Sequence, residues 1–236
     1  MRVLSIVHER DAGSGTFADV ANERGDELVE WIPAETPAPP PGEFAATLVF
    51  GGGMHVDQEA AHPWLAGEKE LLRDLLAART PTLGMCLGAQ LLAEAAGGAA
   101  HRAPAPEIGW TPVELTSAAA SDPVLGPLPV RFDSFQWHSY EVARPAGAVP
   151  LARSARCLQA FRLDATPAWG IQFHAEVTAP TIASWIRDYG REEDAIAAGL
   201  DPAALLAESE RAIGAWMRLG RGLCGRFLDR AAATRG

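Results

Sequence analysis

One cysteine lies in a sequence context typical of a catalytic nucleophile. Cys86 stands in the run Gly84-Met85-Cys86-Leu87-Gly88-Ala89-Gln90, with a glycine two residues before it and another two residues after it. Thr82–Met85 is predicted to be a short strand and Leu87–Ala96 a helix, so the cysteine would occupy a tight strand-to-helix turn that tolerates only small neighbours. The positive end of the helix dipole would favour the thiolate, which is the nucleophilic form. The amide of Leu87 would then point to where an oxyanion forms.

A nucleophile of this kind needs a base, and the base needs an orienting group. His174 follows the predicted strand Ala168–Phe173, and Glu176 lies two residues further on. At this spacing the carboxylate can reach back to the imidazole and fix its tautomer. A histidine at a strand end is more often structural on its own, but its combination with Cys86 and Glu176 predicts a catalytic triad.

A glycine triplet follows another predicted strand. Gly51-Gly52-Gly53 comes directly after Ala45–Phe50, and glycines in such a place let a backbone N–H approach a substrate oxygen. A flexible turn is the alternative interpretation, and the triplet alone does not decide between them.

No metal or cofactor is expected from the motifs. The chain has no Cys-x-x-Cys or His-x-x-x-His spacing, and it lacks the glycine-rich fingerprints that bind ATP or dinucleotides. The other two cysteines, Cys157 and Cys224, are interpreted as small buried residues, and three cysteines do not suggest a disulfide framework.

The net charge and the lengths of the apolar runs argue against two classes of binding partner, nucleic acids and membranes. The chain has 236 residues, and its formal net charge of −10 disfavours binding to nucleic acid. No run approaches the ~20 apolar residues that a membrane-spanning helix needs, so no membrane association is expected. The N-terminal apolar run is too short for a signal peptide, which makes the cytoplasm the expected compartment.

The elements that must position these residues alternate between strand and helix in the first half of the chain. This alternation predicts an α/β fold with a doubly wound, mostly parallel sheet and helices on both faces. Short β-prone runs dominate from Ile108 to Phe173 and suggest an added β-ribbon. We expect one domain over residues 1–191 and a helical C-terminal extension over residues 192–236 that packs on the domain. Its apolar residues could instead form a homodimer interface.

The motifs together resemble those of the class I (triad-type) glutamine amidotransferases, whose nucleophile turn reads Gly-x-Cys-x-Gly-x-Gln and whose late signature is His-x-Glu. The resemblance extends from Arg2 to about Tyr189, and it is greatest to stand-alone proteins related to the glutaminase domain of GMP synthase. It implies a flavodoxin-like fold.

The resemblance also implies a role for each site residue. Cys86 would attack the γ-carbonyl of glutamine to form a γ-glutamyl thioester, His174 would protonate the departing amine, and Glu176 would orient His174. The amides of Leu87 and of Gly52 or Gly53 would form the oxyanion hole. The residues expected to hold the glutamyl group are Gln90, Trp137, His138, Ser139 and Tyr140. Relatives often carry glycine in place of Ser139, and the similar stretch Glu107–Trp110 receives no chemical role.

Three functions remain open at this point. The chain could be a glutaminase-type amidotransferase that supplies ammonia to a synthetase subunit. It could be a free-standing hydrolase of γ-glutamyl peptides or γ-glutamyl amides, because the acyl half of the substrate is the same. A non-catalytic binding module of the same fold is the third alternative, and the intact cysteine, histidine and glutamate argue against it.

Overall fold

The computed structural model describes residues 1–234, in which nine strands form one sheet. The strands are β1 (Arg2–Ile6), β2 (Glu27–Trp31), β3 (Ala46–Val49), β4 (Thr82–Met85), β5 (Ala99–Leu115), β6 (Arg131–Ala143), β7 (Ala148–Arg153), β8 (Leu158–Leu163) and β9 (Ala168–Ile171). The helices are α1 (Gly15–Glu23), α2 (Trp64–Ala77), α3 (Leu87–Ala95), α4 (Ala179–Tyr189), α5 (Glu193–Ala197) and α6 (Pro202–Ala233), with a short 3-10 helix at Ser117–Ser121.

Five strands form a parallel half in the order β2-β1-β3-β4-β9. Successive residues of a strand point to opposite faces, and a strand covered on both sides must therefore be apolar along its length. In β1, Val3 packs in the core on one face, whereas Leu4 and Ile6 belong to the core on the other. The predicted α/β fold with helices on both faces is confirmed.

Helices α2 and α3 cover one face, where Leu65, Leu72 and Leu91 meet the sheet. Helices α1, α4 and α6 cover the other face, where Phe17 and Trp185 are buried. The helices α1, α2, α3 and α4 each follow a parallel strand, so the loops that lead into them lie at the carboxyl ends of those strands. Ligands of open parallel sheets bind at this edge, and the predicted site residues follow strands that end there.

The second half of the sheet is antiparallel, in the order β9-β8-β7-β5-β6. It is larger than the ribbon that the sequence suggests. Its strands β5 and β6 are long, with 17 and 13 residues, where the sequence indicated short β-prone runs. Strand β5 starts at Ala99, nine residues before the predicted β-rich region, because its pairing with β6 outweighs the weak β-propensity of its Ala- and Pro-rich first part.

The C-terminal segment packs against the domain through α6. Asp201 caps this helix by accepting hydrogen bonds from the amides of Ala203 and Ala204. Its apolar stripe, which includes Trp216, Leu223 and Phe227, is buried in the same core as α1 and α4. None of the helices within residues 1–234, the 32-residue α6 included, is apolar enough over a sufficient length to cross a membrane.

Candidate active site

Cys86 occupies a strained turn between β4 and α3. Its φ of 50° and ψ of −112° place it in a backbone region that residues with a side chain rarely adopt. The amide of Cys86 donates to the Ile171 carbonyl of β9 at 2.8 Å, so the turn is fixed to the neighbouring strand. The residue is 6% exposed and lines a cavity at the carboxyl edge of the parallel strands.

The two glycines that flank Cys86 are required by the close approach of backbone atoms. A Cβ on Gly84 would lie 2.4 Å from the Gly88 carbonyl oxygen, and a Cβ on Gly88 would lie 2.2 Å from the Val49 carbonyl oxygen. Real Cβ atoms do not approach oxygen this closely. The expectation that only small neighbours fit this turn therefore has a direct steric cause.

His174 and Glu176 are brought together by the loop that follows β9. Glu176 Oε1 lies 2.7 Å from His174 Nδ1, and both side chains are buried. Burial by itself lowers the pKa of His174, but the charge of Glu176 and the nearby Cys86 sulfur outweigh it and raise that pKa to about 10. This balance favours the imidazolium form of His174 at neutral pH.

Two backbone hydrogen bonds and one aromatic contact fix the position of His174. Its amide donates to the Phe135 carbonyl at 3.0 Å, and its carbonyl accepts from the indole N–H of Trp216 at 2.8 Å. The ring of Trp185 lies edge-on to the imidazole with a centroid distance of 4.8 Å. The sequence did not indicate these contacts, because Phe135 and Trp216 lie on elements far from residue 174 along the chain, and no local motif marks the contact with Trp185 on the following helix.

Cys86 and His174 face each other across Gly51. A Cβ on Gly51 would lie 2.9 Å from His174 Cε1 and 3.5 Å from Cys86 Cβ, so one atom would touch both residues. His174 Nε2 is buried and has no hydrogen-bond partner of regular geometry among residues 1–234. The free nitrogen and the influence of the sulfur on the His174 pKa fit a cysteine–histidine pair ready to act on a substrate.

The amides of Gly52 and Gly53, both predicted for the oxyanion hole, differ in whether they are already hydrogen-bonded. The amide of Gly53 donates to Glu9 Oε2 at 2.7 Å and is engaged there. The amides of Gly52 and Leu87 donate to no acceptor within the described residues, and both residues line the cavity beside Cys86. Gly52 is therefore the better placed of the two predicted glycines.

The cavity has a volume of about 340 Å³ and is open on one side. All five residues predicted to hold the glutamyl group line it, namely Gln90, Trp137, His138, Ser139 and Tyr140. The Trp137 carbonyl lies 3.9 Å from the Cys86 sulfur. Gln90 is buried, and its Nε2 faces the Tyr140 carbonyl at 3.4 Å and Gln172 Oε1 at 3.3 Å, which ties α3 to β6 and to the strand end before His174.

The mouth of the cavity is acidic. Four carboxylate side chains line the cavity, namely Glu9, Asp11, Glu192 and Asp194, and no lysine or arginine within the described residues does so. Asp194 is paired with Arg102, which leaves Glu9, Asp11 and Glu192 without a cationic partner among those residues. Glu192 and Asp194 come from the segment around α5, which the sequence indicated only as part of the C-terminal extension. A site of this charge would attract an amine and repel an additional carboxylate.

A polar cluster behind the cavity contains the side chains that could hold a metal ion. Glu107, His138 and Cys157 place ligand atoms within 4.8 Å of one another. Glu107 Oε2 also accepts hydrogen bonds from Ser154 Oγ at 3.1 Å and Gln159 Nε2 at 2.9 Å. Burial and the adjacent Glu107 raise the pKa of the Cys157 thiol, so this sulfur is protonated at neutral pH. These hydrogen bonds hold Glu107 beside His138, which lies on the cavity wall.

This cluster gives a structural role to the stretch Glu107–Trp110, to which the sequence alone assigned no chemistry. Glu107 reaches His138 across the β5–β6 pair, with His138 Nε2 3.4 Å from Glu107 Oε2. Trp110 donates its indole N–H to Ser209 on α6 at 2.9 Å. Both contacts join distant parts of the chain, and no local spacing could have indicated them.

The family model, the relatives and the solved structures that match this chain agree with one another. The family model described as "Glutamine amidotransferase class-I" matches residues 23–188. The glutamine amidotransferase-like protein YfeJ of Salmonella typhimurium is 29% identical over 198 residues, which cover 81% of this chain and 82% of that protein. A solved structure of a glutamine amidotransferase from Thermotoga maritima is 31% identical, with a TM-score of 0.85 over 96% of this chain and 97% of that one.

Two other relatives carry more specific names. A γ-glutamyl-L-1-hydroxyisopropylamide hydrolase from a Pseudomonas species is 32% identical over 160 residues, which are 64% of this chain and 54% of that protein. One subunit of a glutamine-hydrolysing GMP synthase from Saccharolobus solfataricus is 30% identical over 151 residues, which are 63% of this chain and 76% of that protein.

Proposed function

Because the chain belongs to the class-I glutamine amidotransferase family, we propose that it hydrolyses the γ-amide bond of glutamine or of another γ-glutamyl compound through Cys86, His174 and Glu176. The observation that carries this proposal is the meeting of three features at one cavity wall, where Cys86 and His174 line the cavity and Glu176 lies behind His174. These are a cysteine on a strained strand-to-helix turn, a buried histidine with a free nitrogen, and a carboxylate 2.7 Å from the other ring nitrogen.

The protonation state of His174 sets the order of proton transfers. With a pKa of about 10, the imidazolium stabilises a thiolate at Cys86, which attacks the γ-carbonyl carbon. The carbonyl oxygen becomes an oxyanion within reach of the Gly52 and Leu87 amides. His174 then gives its proton to the departing nitrogen, and the C–N bond breaks to leave a γ-glutamyl thioester and free ammonia or amine.

Hydrolysis of the thioester restores the starting state. Neutral His174 accepts a proton from a water molecule, and the resulting hydroxide attacks the thioester carbonyl carbon. The C–S bond breaks, glutamate leaves, and thiolate and imidazolium are re-formed. Glu176 keeps the imidazole in one orientation throughout and stabilises its charged form.

Glutamine is the first substrate we propose, and ammonia transfer to a synthetase subunit is the corresponding role. The relationship to a glutamine-hydrolysing GMP synthase supports this role. In that case a partner protein supplies the nucleotide site, since the chain carries no sequence motif for one.

A free-standing γ-glutamyl amide hydrolase is the second candidate, and the cavity wall favours it. Beyond Cys86 the cavity continues to Glu192, Asp194 and Ala195, and these residues lie outside the 23–188 stretch that the family model matches. Such an added wall gives room and charge for a leaving group larger than ammonia. The related Pseudomonas hydrolase has an amide of this kind in its name.

A substrate panel on the purified chain tests both functions. Glutamine, γ-glutamyl amides of cationic and anionic amines, and the α-amide isomer of glutamine are compared by glutamate release. We expect release from γ-linked substrates only, and we expect cationic leaving groups to be preferred over anionic ones because the mouth is acidic. Fastest turnover of glutamine supports the synthetase-linked role, and fastest turnover of a γ-glutamyl amide supports the second. Absence of glutamate release from every γ-linked substrate contradicts both.

A further inference from the structure

A fully buried ion pair lies beneath the glycine loop, outside the catalytic cavity. His8 follows β1 and Glu68 lies on α2, and both side chains have an exposed fraction of 0%. His8 Nε2 is 3.1 Å and 3.0 Å from the two carboxylate oxygens of Glu68. His8 Nδ1 is 3.0 Å from the carbonyl oxygen of Gly51, and Trp64 stacks on the imidazole at 5.5 Å.

This geometry favours the charged form of His8. One ring nitrogen faces the Gly51 carbonyl and the other faces the Glu68 carboxylate, and an ionised Glu68 is satisfied when each nitrogen carries a proton. His8 is thus an imidazolium, and Glu68 is its counter-charge. Burial by itself lowers the pKa of His8, but the charge and hydrogen bond of Glu68 and the carbonyl groups of Gly51 and Phe50 outweigh it, so the pKa lies above its ordinary value.

The loop above the pair is fixed at successive positions. The Phe50 carbonyl accepts from the Gly88 amide of α3 at 3.1 Å. The Gly51 carbonyl accepts from His8, and the Gly53 amide donates to Glu9. Of these three contacts, only the one from His8 sets the orientation of the peptide between Gly51 and Gly52.

That peptide also carries the amide that faces the cavity. In a planar trans peptide the C=O and the following N–H point in opposite directions, and no cis peptide occurs in the described residues. Because the Gly51 oxygen points to His8, the Gly52 N–H points away from it. Gly52 lines the cavity together with Cys86, and His8 does not.

We propose that the His8–Glu68 pair is a positioning unit that holds the Gly52 amide toward the oxygen of the tetrahedral intermediate formed on Cys86. This role rests on the proposed function. If the peptide flipped, the Gly51 carbonyl oxygen would turn toward the cavity and would repel an oxyanion instead of stabilising it. The pair opposes this flip, because the flip would leave the buried Nδ1–H of His8 without its acceptor, which is costly in a dry site. Neither residue touches the substrate.

The test uses two double variants, in which Glu68→Gln is combined either with His8→Asn or with His8→Gln. They differ only in where the side-chain amide lies in place of the imidazole. The Glu68→Gln change is common to both, so that no buried charge is left unpaired. The amide nitrogen of asparagine at position 8 falls near the place of Nδ1 and can still donate to Gly51. The longer glutamine places its amide near Nε2, next to residue 68, and leaves Gly51 without a donor. We expect His8→Gln to lower kcat by about 10- to 100-fold with little change in KM, since loss of an oxyanion donor acts on the transition state. We expect His8→Asn to recover most of that loss.

Two further measurements separate positioning from a general structural role. Alkylation of Cys86 by iodoacetamide forms no oxyanion, so its rate should be equal in both double variants, and their thermal unfolding should also agree. Equal kcat values for the two double variants, or equal losses of kcat and of alkylation rate, would overturn the proposed role.

The protonation state can be checked without any turnover. In protein with 15N-labelled histidine, NMR at neutral pH should show both ring nitrogens of His8 carrying protons, with the signals assigned from their loss in His8→Gln. A single protonated nitrogen contradicts the pair as described. Lack of glutamate release by the unmodified chain instead contradicts the proposed function, and this outcome is distinct from the NMR result.

Discussion

The indole N–H of Trp216 on α6 donates to the backbone carbonyl of His174 at 2.8 Å. This bond joins the C-terminal helix to the loop that carries the proposed base. Near the same place, a Cβ on Gly220 would lie 1.9 Å from the Ala175 carbonyl oxygen, so the backbones of α6 and the loop are in direct contact. The helix therefore acts as a support for His174 and Glu176 as well as a cover for the sheet.

Replacement of Trp216 by Phe should lower kcat more than it changes KM. The change keeps the aromatic ring but removes the donor to His174, and the loss of one hydrogen bond costs about 1 kcal/mol, or about fivefold in rate. Steady-state kinetics on a γ-glutamyl substrate measures this effect. Trp110→Phe is the matched control because its indole donates to Ser209 instead. Equal kcat losses in the two variants would show that α6 gives no specific support to His174.

Replacement of Glu176 by Gln should shift the pH profile of kcat/KM. Glu176 opposes the effect of burial on His174, so its loss lowers the pKa of the imidazole from about 10. The imidazolium form is required for the thiolate–imidazolium pair, and activity is lost as pH rises through that pKa. The alkaline limb should therefore move to lower pH, and overall activity should fall.

The control for this profile is Glu192→Gln, which neutralises a carboxylate at the cavity mouth. Its alkaline limb should remain where it is in the unmodified protein. An unshifted limb in Glu176→Gln would mean that His174 does not govern the profile.

Iodoacetamide should label Cys86 faster than either of the other thiols. Burial and Glu107 raise the pKa of Cys157, and burial raises the pKa of Cys224 to about 12, so neither forms thiolate near neutral pH. Cys86 lines the open cavity and faces an imidazolium. Peptide mass spectrometry over a time course gives the order, and prior labelling at either other cysteine would count against the assignment.

Replacement of Gly88 by Ala should destabilise the fold. The added methyl group would lie 2.2 Å from the Val49 carbonyl oxygen, and such overpacking lowers the free energy of unfolding by about 1–3 kcal/mol. Gly225→Ala on α6 is the control, because nothing lies within 4 Å of the new Cβ. It should raise the free energy of unfolding by about 0.5–1 kcal/mol through helix propensity. Denaturant unfolding measures both, and equal values would contradict the packing described for the turn.

The parallel half of the sheet and the grouping of the three proposed catalytic residues could be predicted from the sequence, since their signals are local. The glycines around Cys86 and the two-residue spacing of His174 and Glu176 reflect short-range geometry. Predicted and observed bounds of β3, β4 and α3 agree within about one residue at each end. Apolar runs and helix periodicity are sufficient there because these elements bury the faces that their own sequences mark as apolar.

The antiparallel half and the supports of the site were not predictable in the same way. Strand β7 contains Pro150 and has little alternation, and it is stabilised by β8 and β5. His8 contacts Glu68, Glu107 contacts His138, and Trp216 contacts His174. The members of each pair are far apart along the chain. Such contacts depend on the tertiary arrangement, and an isolated buried His or Glu gives no pattern by which to find it.

The measurement that tests the proposed chemistry most directly is turnover by Cys86→Ala, compared with Cys224→Ala, on whichever γ-glutamyl substrate the unmodified chain cleaves. Loss of a triad nucleophile should lower kcat by a factor on the order of 10⁴ or more, whereas the change at the buried Cys224 should leave kcat within a few-fold. Glutamate release by Cys86→Ala at the rate of the unmodified protein would contradict the proposed γ-glutamyl thioester.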